Sequence, residues 1–173
     1  LHASQAPIML SAFFLRKCIL QLFAFMGIFC LGFPQAWSNE KYAVLVGVSK
    51  YASLPQDRQL IGSANDVKLM RTVLRNAGFD QQHMQVLADG VDQASQPTRK
   101  NILTALQKLS LQAAPGDFVY LHFSGHGSQQ PMDSTDLNNH ETDGLDEIFL
   151  PSDIGRWDGK AATVRNAIID NEF

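Results

Sequence analysis

An alternation of apolar strand-like runs with amphipathic helical segments constrains the fold of this chain more than any other feature. Residues 42–48 are continuously apolar, as in a strand covered on both faces of a parallel sheet. A helix over about 63–76, a strand over 84–87, a helix opened by Pro97-Thr98 and a strand over 118–123 follow in order. Parallel strands joined by helical crossovers are therefore predicted, which makes the fold class an open α/β sheet.

The helices are predicted to face the sheet with their apolar residues. For the first helix, which Gly78 ends, these are Ala64, Val67, Leu69, Met70, Val73 and Leu74; for the second they are Ile102, Leu103, Leu106 and Leu109. The strand over 118–123 is rich in aromatic and β-branched residues and follows the turn signal Pro115-Gly116-Asp117. We expect that strand to be buried.

A histidine follows this third strand directly. The strand stops at Ser124-Gly125, and His126 lies between two glycines that allow a sharp turn and leave the imidazole accessible. Open α/β sheets bind their ligands at such strand ends. His126 is therefore a candidate site residue, with a turn histidine of no chemical role as the alternative. His122 lies four extended residues away, about 13 Å, too far to share a metal ion, so we expect a structural role for it.

Acidic residues are concentrated in about twenty positions after this loop: Asp133, Asp136, Glu141, Asp143, Asp146, Glu147 and Asp153. Carboxylates at this density repel one another unless a cation or a basic ligand lies among them. A solvated acidic loop is the alternative. An EF-hand is excluded, because placing Gly144 at the glycine position puts Leu150 where the bidentate glutamate belongs.

The N-terminal region has the pattern of a secretory signal peptide. Arg16 and Lys17 precede an apolar run over 18–33, and small residues at Ala36 and Ser38 precede the predicted cleavage before Asn39. Residues 1–38 are thus predicted to be a signal peptide with an upstream extension, and residues 39–173 one domain exported to the periplasm or the extracellular space. An uncleaved membrane anchor is the alternative. We expect membrane contact only through this segment.

Composition excludes two classes of site. The 173 residues carry a formal net charge of −3 without a Lys/Arg run, so a nucleic-acid partner is not expected. Both cysteines, Cys18 and Cys30, lie in the leader, so the mature domain has no thiol, disulfide or cysteine metal site. A serine hydrolase is not indicated either, since the chain has no Gly-x-Ser-x-Gly.

Taken together, these stretches resemble the N-terminal part of a metacaspase-type caspase-fold cysteine peptidase, over about residues 41–173. The resemblance rests on the ordered set 42–48, Ala64-Asn65-Asp66-Val67, Pro97-Thr98-Arg99-Lys100-Asn101-Ile102, Pro115-Gly116-Asp117, Phe123-Ser124-Gly125-His126-Gly127-Ser128-Gln129 and Asp143-Gly144-Leu145-Asp146-Glu147-Ile148-Phe149-Leu150-Pro151-Ser152-Asp153. It implies a caspase-like three-layer α/β sandwich with a mostly parallel sheet, truncated before the strand that carries the nucleophile.

The same resemblance implies roles for individual residues. His126 would work with a cysteine nucleophile, and the backbone amide of Gly127 would help to hold the oxyanion. Cleavage after Arg or Lys would depend on Asp66 in an acidic specificity pocket, with Ser124 on its wall and Ser63 where the family often has a cysteine. The substrate would be a polypeptide, and the resemblance favours a monomer.

Calcium is the cofactor that the resemblance implies. Asp146 and Asp170 would be ligands, whereas Asn171 stands where the family often has a second aspartate, and one charge fewer weakens a site for a hard cation.

The nucleophile is the largest departure from the family pattern. In the caspase fold it lies about 50 residues beyond the histidine. We therefore expect it after Phe173, in a longer parent protein, as the opening Leu1 and the helix-like first turn capped by Asp170 also indicate. A caspase-fold binding or regulatory module without catalysis, and an unrelated metal- or ligand-binding α/β domain, are the alternative functions.

Overall fold

The computed structural model describes residues 39–132, 141–160 and 162–173. The predicted leader and the acidic residues Asp133 and Asp136 lie outside these ranges. The elements are β1 (Lys41–Gly47), α1 (Ser63–Asn76), β2 (Met84–Ala88), α2 (Arg99–Gln112), β3 (Phe118–Ser124), β4 (Gly127–Pro131), β5 (Leu145–Phe149), β6 (Trp157–Asp158), β7 (Thr163–Val164) and β8 (Ile168–Ile169). Short 3₁₀ turns cover Gln56–Arg58, Gln81–His83 and Asp170–Glu172. Every helix in the described ranges is too short or too polar to span a bilayer.

A parallel sheet with the strand order β2-β1-β3 forms the centre of the domain. The side chains of β1 alternate between its two faces because successive residues of a strand point in opposite directions. Ala43 and Leu45 pack with residues of α1, whereas Val44 and Val46 pack with residues of α2. The sheet therefore lies between one helix and the other, which confirms the predicted mixed α/β fold.

The helix boundaries follow their predicted signals. Gly78 has a φ of +83°, and the N–H of the next residue, Phe79, donates to the Leu74 carbonyl at 3.0 Å, a Schellman arrangement that closes α1. At the start of α2, the Thr98 side chain accepts a hydrogen bond from the Asn101 N–H at 3.3 Å.

A second, antiparallel sheet has the order β4-β5-β8, and β6 and β7 form a separate two-stranded ribbon. The sequence pattern did not predict these strands. Strand β4 has the sequence Gly-Ser-Gln-Gln-Pro, which has no hydrophobic alternation, and β6, β7 and β8 contain two residues each.

Two burial predictions were wrong. In β3, Phe118, Val119 and Leu121 are 56%, 42% and 43% exposed, because this strand pairs with β1 on one side and has no partner on the other among the described residues. In α1, Leu69 and Val73 are 63% and 46% exposed. The buried stripe runs instead through Ser63, Val67 and Leu74, and the two exposed residues lie outside this stripe.

The predicted cap at Asp170 was also wrong. Ile169 precedes the 3₁₀ turn as its N-cap residue, and Asp170 is the first residue of the turn itself. The side chain of Glu172 accepts the Ile169 N–H at 3.0 Å, so Glu172 supports the start of the turn as expected for an acid in a first turn.

Candidate active site

The chain passes from one sheet to the other through two residues, Gly125 and His126. It leaves the parallel sheet at Ser124, enters the antiparallel sheet at Gly127, and has His126 between them. These residues lie at the carboxyl ends of β1 and β3. The connection through α1 leads to one side of β1 and the connection through α2 to the other, so this is the topological switch point where open α/β sheets form their binding crevice.

The partly buried imidazole of His126 is held by a main-chain carbonyl. Its Nε2 atom lies 2.7 Å from the carbonyl oxygen of Arg58, in the loop between β1 and α1. A carbonyl oxygen can only accept, so Nε2 carries a proton and donates it. In the neutral ring Nδ1 is then the atom that can take up a proton. The tautomer needed for general-base work at Nδ1 is therefore set by the chain itself.

A buried tyrosine holds the main chain of the same histidine. The backbone N–H of His126 donates to the Tyr51 hydroxyl at 2.7 Å, and the two rings lie 5.0 Å apart between centroids, tilted by 39°. Tyr51 is 2% exposed, and burial raises its pKa to about 12 against the opposing effect of the hydrogen bond from His126. The hydroxyl is therefore neutral at physiological pH.

The loop that carries Tyr51 and Arg58 is fixed by two side chains. Gln59 accepts the Tyr51 N–H through Oε1 at 2.7 Å and donates through Nε2 to the carbonyls of Tyr51 and Leu54 at 3.1 and 2.9 Å. The buried carboxylate of Asp89, which follows β2, accepts the N–H groups of Ser49 and Lys50 at 2.8 and 3.0 Å. Sequence reasoning identified none of the loop residues that contact His126, because their roles depend on main-chain groups and on contacts distant in sequence.

Close packing, as well as the expected turn, bears on the glycines beside His126. Neither Gly125 nor Gly127 is among the glycines with positive φ, so a left-handed turn is not what requires them. A Cβ on Gly125 would lie 2.9 Å from the Tyr51 hydroxyl and 3.0 Å from two ring atoms of Phe149. A Cβ on Gly127 would meet the Ile148 carbonyl at an ordinary 3.5 Å. Gly125 is therefore required by close packing around Tyr51.

The direction of the Gly127 amide follows from the pairing of β4 with β5. The Leu150 N–H donates to the His126 carbonyl at 3.0 Å, and Gly127 is paired with Phe149. Antiparallel pairs alternate between hydrogen-bonded and non-hydrogen-bonded types, so the pair of Gly127 with Phe149 is of the second type. The Gly127 N–H therefore points away from β5.

The residues predicted for substrate recognition come together beside β3. The Ser124 hydroxyl donates to the Asp66 carboxylate at 2.7 Å, although the two are 58 positions apart. Asp66 is exposed in the first turn of α1, and Ser63 lies buried at the start of the same helix. Nearby His122 has a pKa lowered by burial and partly restored by the charge of Asp66. Its buried Nε2 has no hydrogen-bond partner in the described part of the chain.

A cluster of acids lies on the second sheet, around Glu147 of its central strand β5. Glu141, Glu147 and Asp170 each offer an oxygen within 4.8 Å of the others. Desolvation raises the pKa of Glu141, and the charges of Glu147, Asp170, Asp143 and Asp146 raise it further. Gln129 donates to Glu147 at 3.1 Å. These atoms form a set of oxygen ligands suited to a hard divalent cation.

The two aspartates predicted as metal ligands occupy different positions. Asp170 belongs to the cluster, whereas Asp146 is 2% exposed on β5 and points to the face opposite that of its neighbour Glu147. The sequence did not single out Glu141 and Glu147 as a pair with Asp170, because β5 and the final 3₁₀ turn approach each other only in the folded sheet.

The fold and the site define a three-layer α/β domain. At its topological switch point, one loop holds both the ring and the main chain of a histidine. A family model described as the metacaspase, peptidase C14 domain matches residues 41–172. The chain is 38% identical to Metacaspase-1 of Emericella nidulans over 151 residues, which are 82% of this chain and 34% of that protein. It is 39% identical over 131 residues to a Metacaspase-1A of Aspergillus fumigatus, covering 70% of this chain and 30% of the relative.

A Metacaspase-1A of Aspergillus oryzae is 40% identical over 120 residues, which are 68% of this chain and 27% of that relative. The chain therefore spans about a third of the length of the curated relatives that it matches. It belongs to the metacaspase family of peptidase C14 domains, which confirms the resemblance found in the sequence.

Proposed function

We propose that the protein to which this domain belongs is a cysteine-type endopeptidase. The observation that carries the proposal is the contact between His126 Nε2 and the Arg58 carbonyl at 2.7 Å, at the switch point of the sheet. It leaves Nδ1 as the atom that exchanges protons with a reacting group. Membership of the metacaspase family supports the same reaction class.

In the proposed mechanism, His126 and a cysteine act as a dyad. Nδ1 takes the thiol proton, and the thiolate attacks the peptide carbonyl carbon to form a tetrahedral intermediate. The outward N–H of Gly127 stabilises the oxyanion. The imidazolium then protonates the leaving amine, and His126 activates the water that hydrolyses the acyl-enzyme.

The nucleophile of this proposal is a cysteine that follows Phe173 in the parent protein. The outer edge of β3 supports this placement, because among the described residues it has no partner strand and its apolar side chains Phe118, Val119 and Leu121 are exposed. A further parallel strand at this edge would bring its carboxyl end next to that of β3, beside His126.

We propose that the enzyme cleaves after Arg or Lys and that Asp66 recognises the basic side chain. Support comes from the exposed position of the Asp66 carboxylate and from its hydrogen bond with Ser124, two residues before His126. The Ser124 hydroxyl fixes one carboxylate oxygen. The other can pair with a guanidinium or an ammonium group. Ser63 would contribute to the floor beneath this carboxylate.

Calcium is proposed as a cofactor on the basis of the acidic cluster. Glu141, Glu147 and Asp170 present hard oxygen ligands within 4.8 Å of one another, and bound calcium would neutralise their mutual repulsion. Asp146 lies behind them as a further negative charge. We also propose export through the predicted leader, which mass spectrometry of the mature N-terminus would test by finding Asn39 first.

The central experiment is hydrolysis of fluorogenic peptides by the full-length protein. Peptides with Arg, Lys or Asp before the scissile bond are compared, with calcium and with a chelator. His126→Ala is expected to reduce kcat/KM by about 10²–10⁴-fold, the usual contribution of a general acid–base residue. His83→Ala, at the amino end of β2, is the matched histidine control and is expected to keep the wild-type rate.

Two results would contradict the proposal. Hydrolysis that survives His126→Ala would remove His126 from the mechanism. Tight peptide binding with no hydrolysis, and with no activity that iodoacetamide abolishes, would favour the alternative of a caspase-fold binding module.

A further inference from the structure

We propose that Tyr51 is the positioning residue for His126: its buried hydroxyl accepts the His126 N–H and so holds the imidazole on the Arg58 carbonyl. The inference rests on the proposed function, because it concerns the residue that would act as general acid and base. Nothing in the sequence pattern assigns Tyr51 a role.

The first observation is that the His126 N–H donates to a side-chain hydroxyl where a regular sheet would offer a main-chain carbonyl. His126 and Leu150 occupy a hydrogen-bonded pair position, since the Leu150 N–H donates to the His126 carbonyl at 3.0 Å. In a regular antiparallel ladder the His126 N–H would return a bond to the Leu150 carbonyl. It donates to the Tyr51 hydroxyl at 2.7 Å instead. The Tyr51 hydroxyl therefore takes the place of the strand carbonyl as the acceptor at the residue where the chain changes sheets.

The second observation is that both contacts to His126 come from one closed loop. Tyr51 holds its main chain and Arg58 holds its ring, and the two are separated by seven positions. Gln59 closes this segment by bonding to both main-chain groups of Tyr51. The Arg58 N–H also donates to the Pro55 carbonyl at 3.0 Å. A displacement of Tyr51 would therefore shift both points at which His126 is held.

The third observation is the close packing around the hydroxyl. Tyr51 is 2% exposed, and a Cβ on Gly125 would come within 2.9 Å of its oxygen. The hydroxyl is thus closely surrounded where it accepts the His126 N–H at 2.7 Å. Because burial raises the Tyr51 pKa to about 12, the group acts as a neutral acceptor throughout the working pH range.

Tyr51→Phe in the full-length protein tests the inference, with Tyr42→Phe at the start of β1 as the matched control. We expect kcat to fall about 10-fold, the factor that corresponds to one lost hydrogen bond, while KM changes less than about twofold. Nitrogen-15 NMR of the histidine rings supplies a readout that needs no activity. The Nε2–H tautomer of His126 should dominate in the wild type and in Tyr42→Phe, and should lose population in Tyr51→Phe.

A fluorinated tyrosine at position 51 gives a second test, which still applies if Tyr51→Phe fails to fold. Fluorination weakens the neutral hydroxyl as an acceptor while the shape of the ring is almost unchanged. At a pH below the pKa of each fluorinated tyrosine, kcat and the Nε2–H population should therefore fall in steps with the number of fluorines. Wild-type kcat and tautomer population in Tyr51→Phe, or an absence of any graded response to fluorination, would overturn the inference.

The same experiments separate this inference from the proposed function. If His126→Ala hydrolyses peptides at the wild-type rate, the proposed function fails. The tautomer measurement then still decides whether Tyr51 positions His126.

Discussion

The loop around His126 and the acidic cluster on the second sheet are organised in opposite ways. Around His126, both the ring nitrogen and the main-chain amide have hydrogen-bond partners at 2.7 Å from one fixed loop. In the cluster, the carboxylates of Glu141, Glu147 and Asp170 lie within 4.8 Å of one another and share the same sign of charge. The chain alone completes the first geometry, whereas the like charges of the second repel one another, a repulsion that the proposed calcium ion would relieve.

Gly125→Ala is expected to disturb the packing around His126 most. Its Cβ would lie 2.9 Å from the Tyr51 hydroxyl and 3.0 Å from the Phe149 ring, and overpacking of this kind costs about 1–3 kcal/mol of unfolding free energy. Urea denaturation measures the loss. Gly127→Ala is the control and should unfold close to the wild-type midpoint, because its Cβ has an ordinary contact at 3.5 Å.

Combining Gly125→Ala with Tyr51→Phe extends this test. Removal of the hydroxyl frees space for the new methyl group, so the double variant should lose less stability than the sum of the two single variants. Strict additivity would show that the Tyr51 hydroxyl is not what requires a glycine at position 125.

The second region is tested by calcium and by Asp170→Asn. If the cluster binds calcium only in the folded state, a concentration of 100 times Kd should stabilise the wild type by about 2.7 kcal/mol, measured as a rise in Tm. Asp170→Asn keeps the side-chain shape and removes one charge, so the rise should become smaller. The exposed carboxylate Asp92 lies outside the cluster, and Asp92→Asn should retain the full rise. An equal rise in all three proteins would place calcium elsewhere.

The smallest expected effect is a change in the pH dependence of stability in Glu141→Gln. The folded pKa of Glu141 lies above its ordinary value of 4.5, through desolvation and the surrounding acids, so the folded state binds more protons than the unfolded state in the window above 4.5. Stability should therefore fall as pH rises through that window.

Urea unfolding of chelator-treated protein at several pH values in this window measures whether stability falls as pH rises. Glu141→Gln should remove part of the fall, and Asp57→Asn, at an acid outside the cluster, should not. A fall of wild-type size in Glu141→Gln would mean that this carboxylate does not carry the repulsion.

Burial was the aspect of the fold least accessible to sequence reasoning. Strands β1 and β3 are both seven residues long and mostly apolar, yet five residues of β1 are buried and three of β3 are exposed. The difference arises because, within the part of the chain that the structure describes, β1 has a neighbouring strand on each side and β3 has one on a single side. Similarly, Leu69 and Val73 are apolar residues of an amphipathic helix, but the direction in which α1 packs leaves them exposed.

The sequence by itself determined the order of the main strands and helices, the caps at Thr98 and Gly78, and the histidine that follows β3. Those features depend on local preferences and on short-range periodicity. The family resemblance already placed Ser124 beside Asp66, which bond in the structure. The tertiary structure alone decided that Tyr51 and Arg58 hold His126 and that two glutamates join Asp170. These contacts connect residues far apart in the chain, often through main-chain atoms that every residue type shares, so no pattern of side chains could have predicted them.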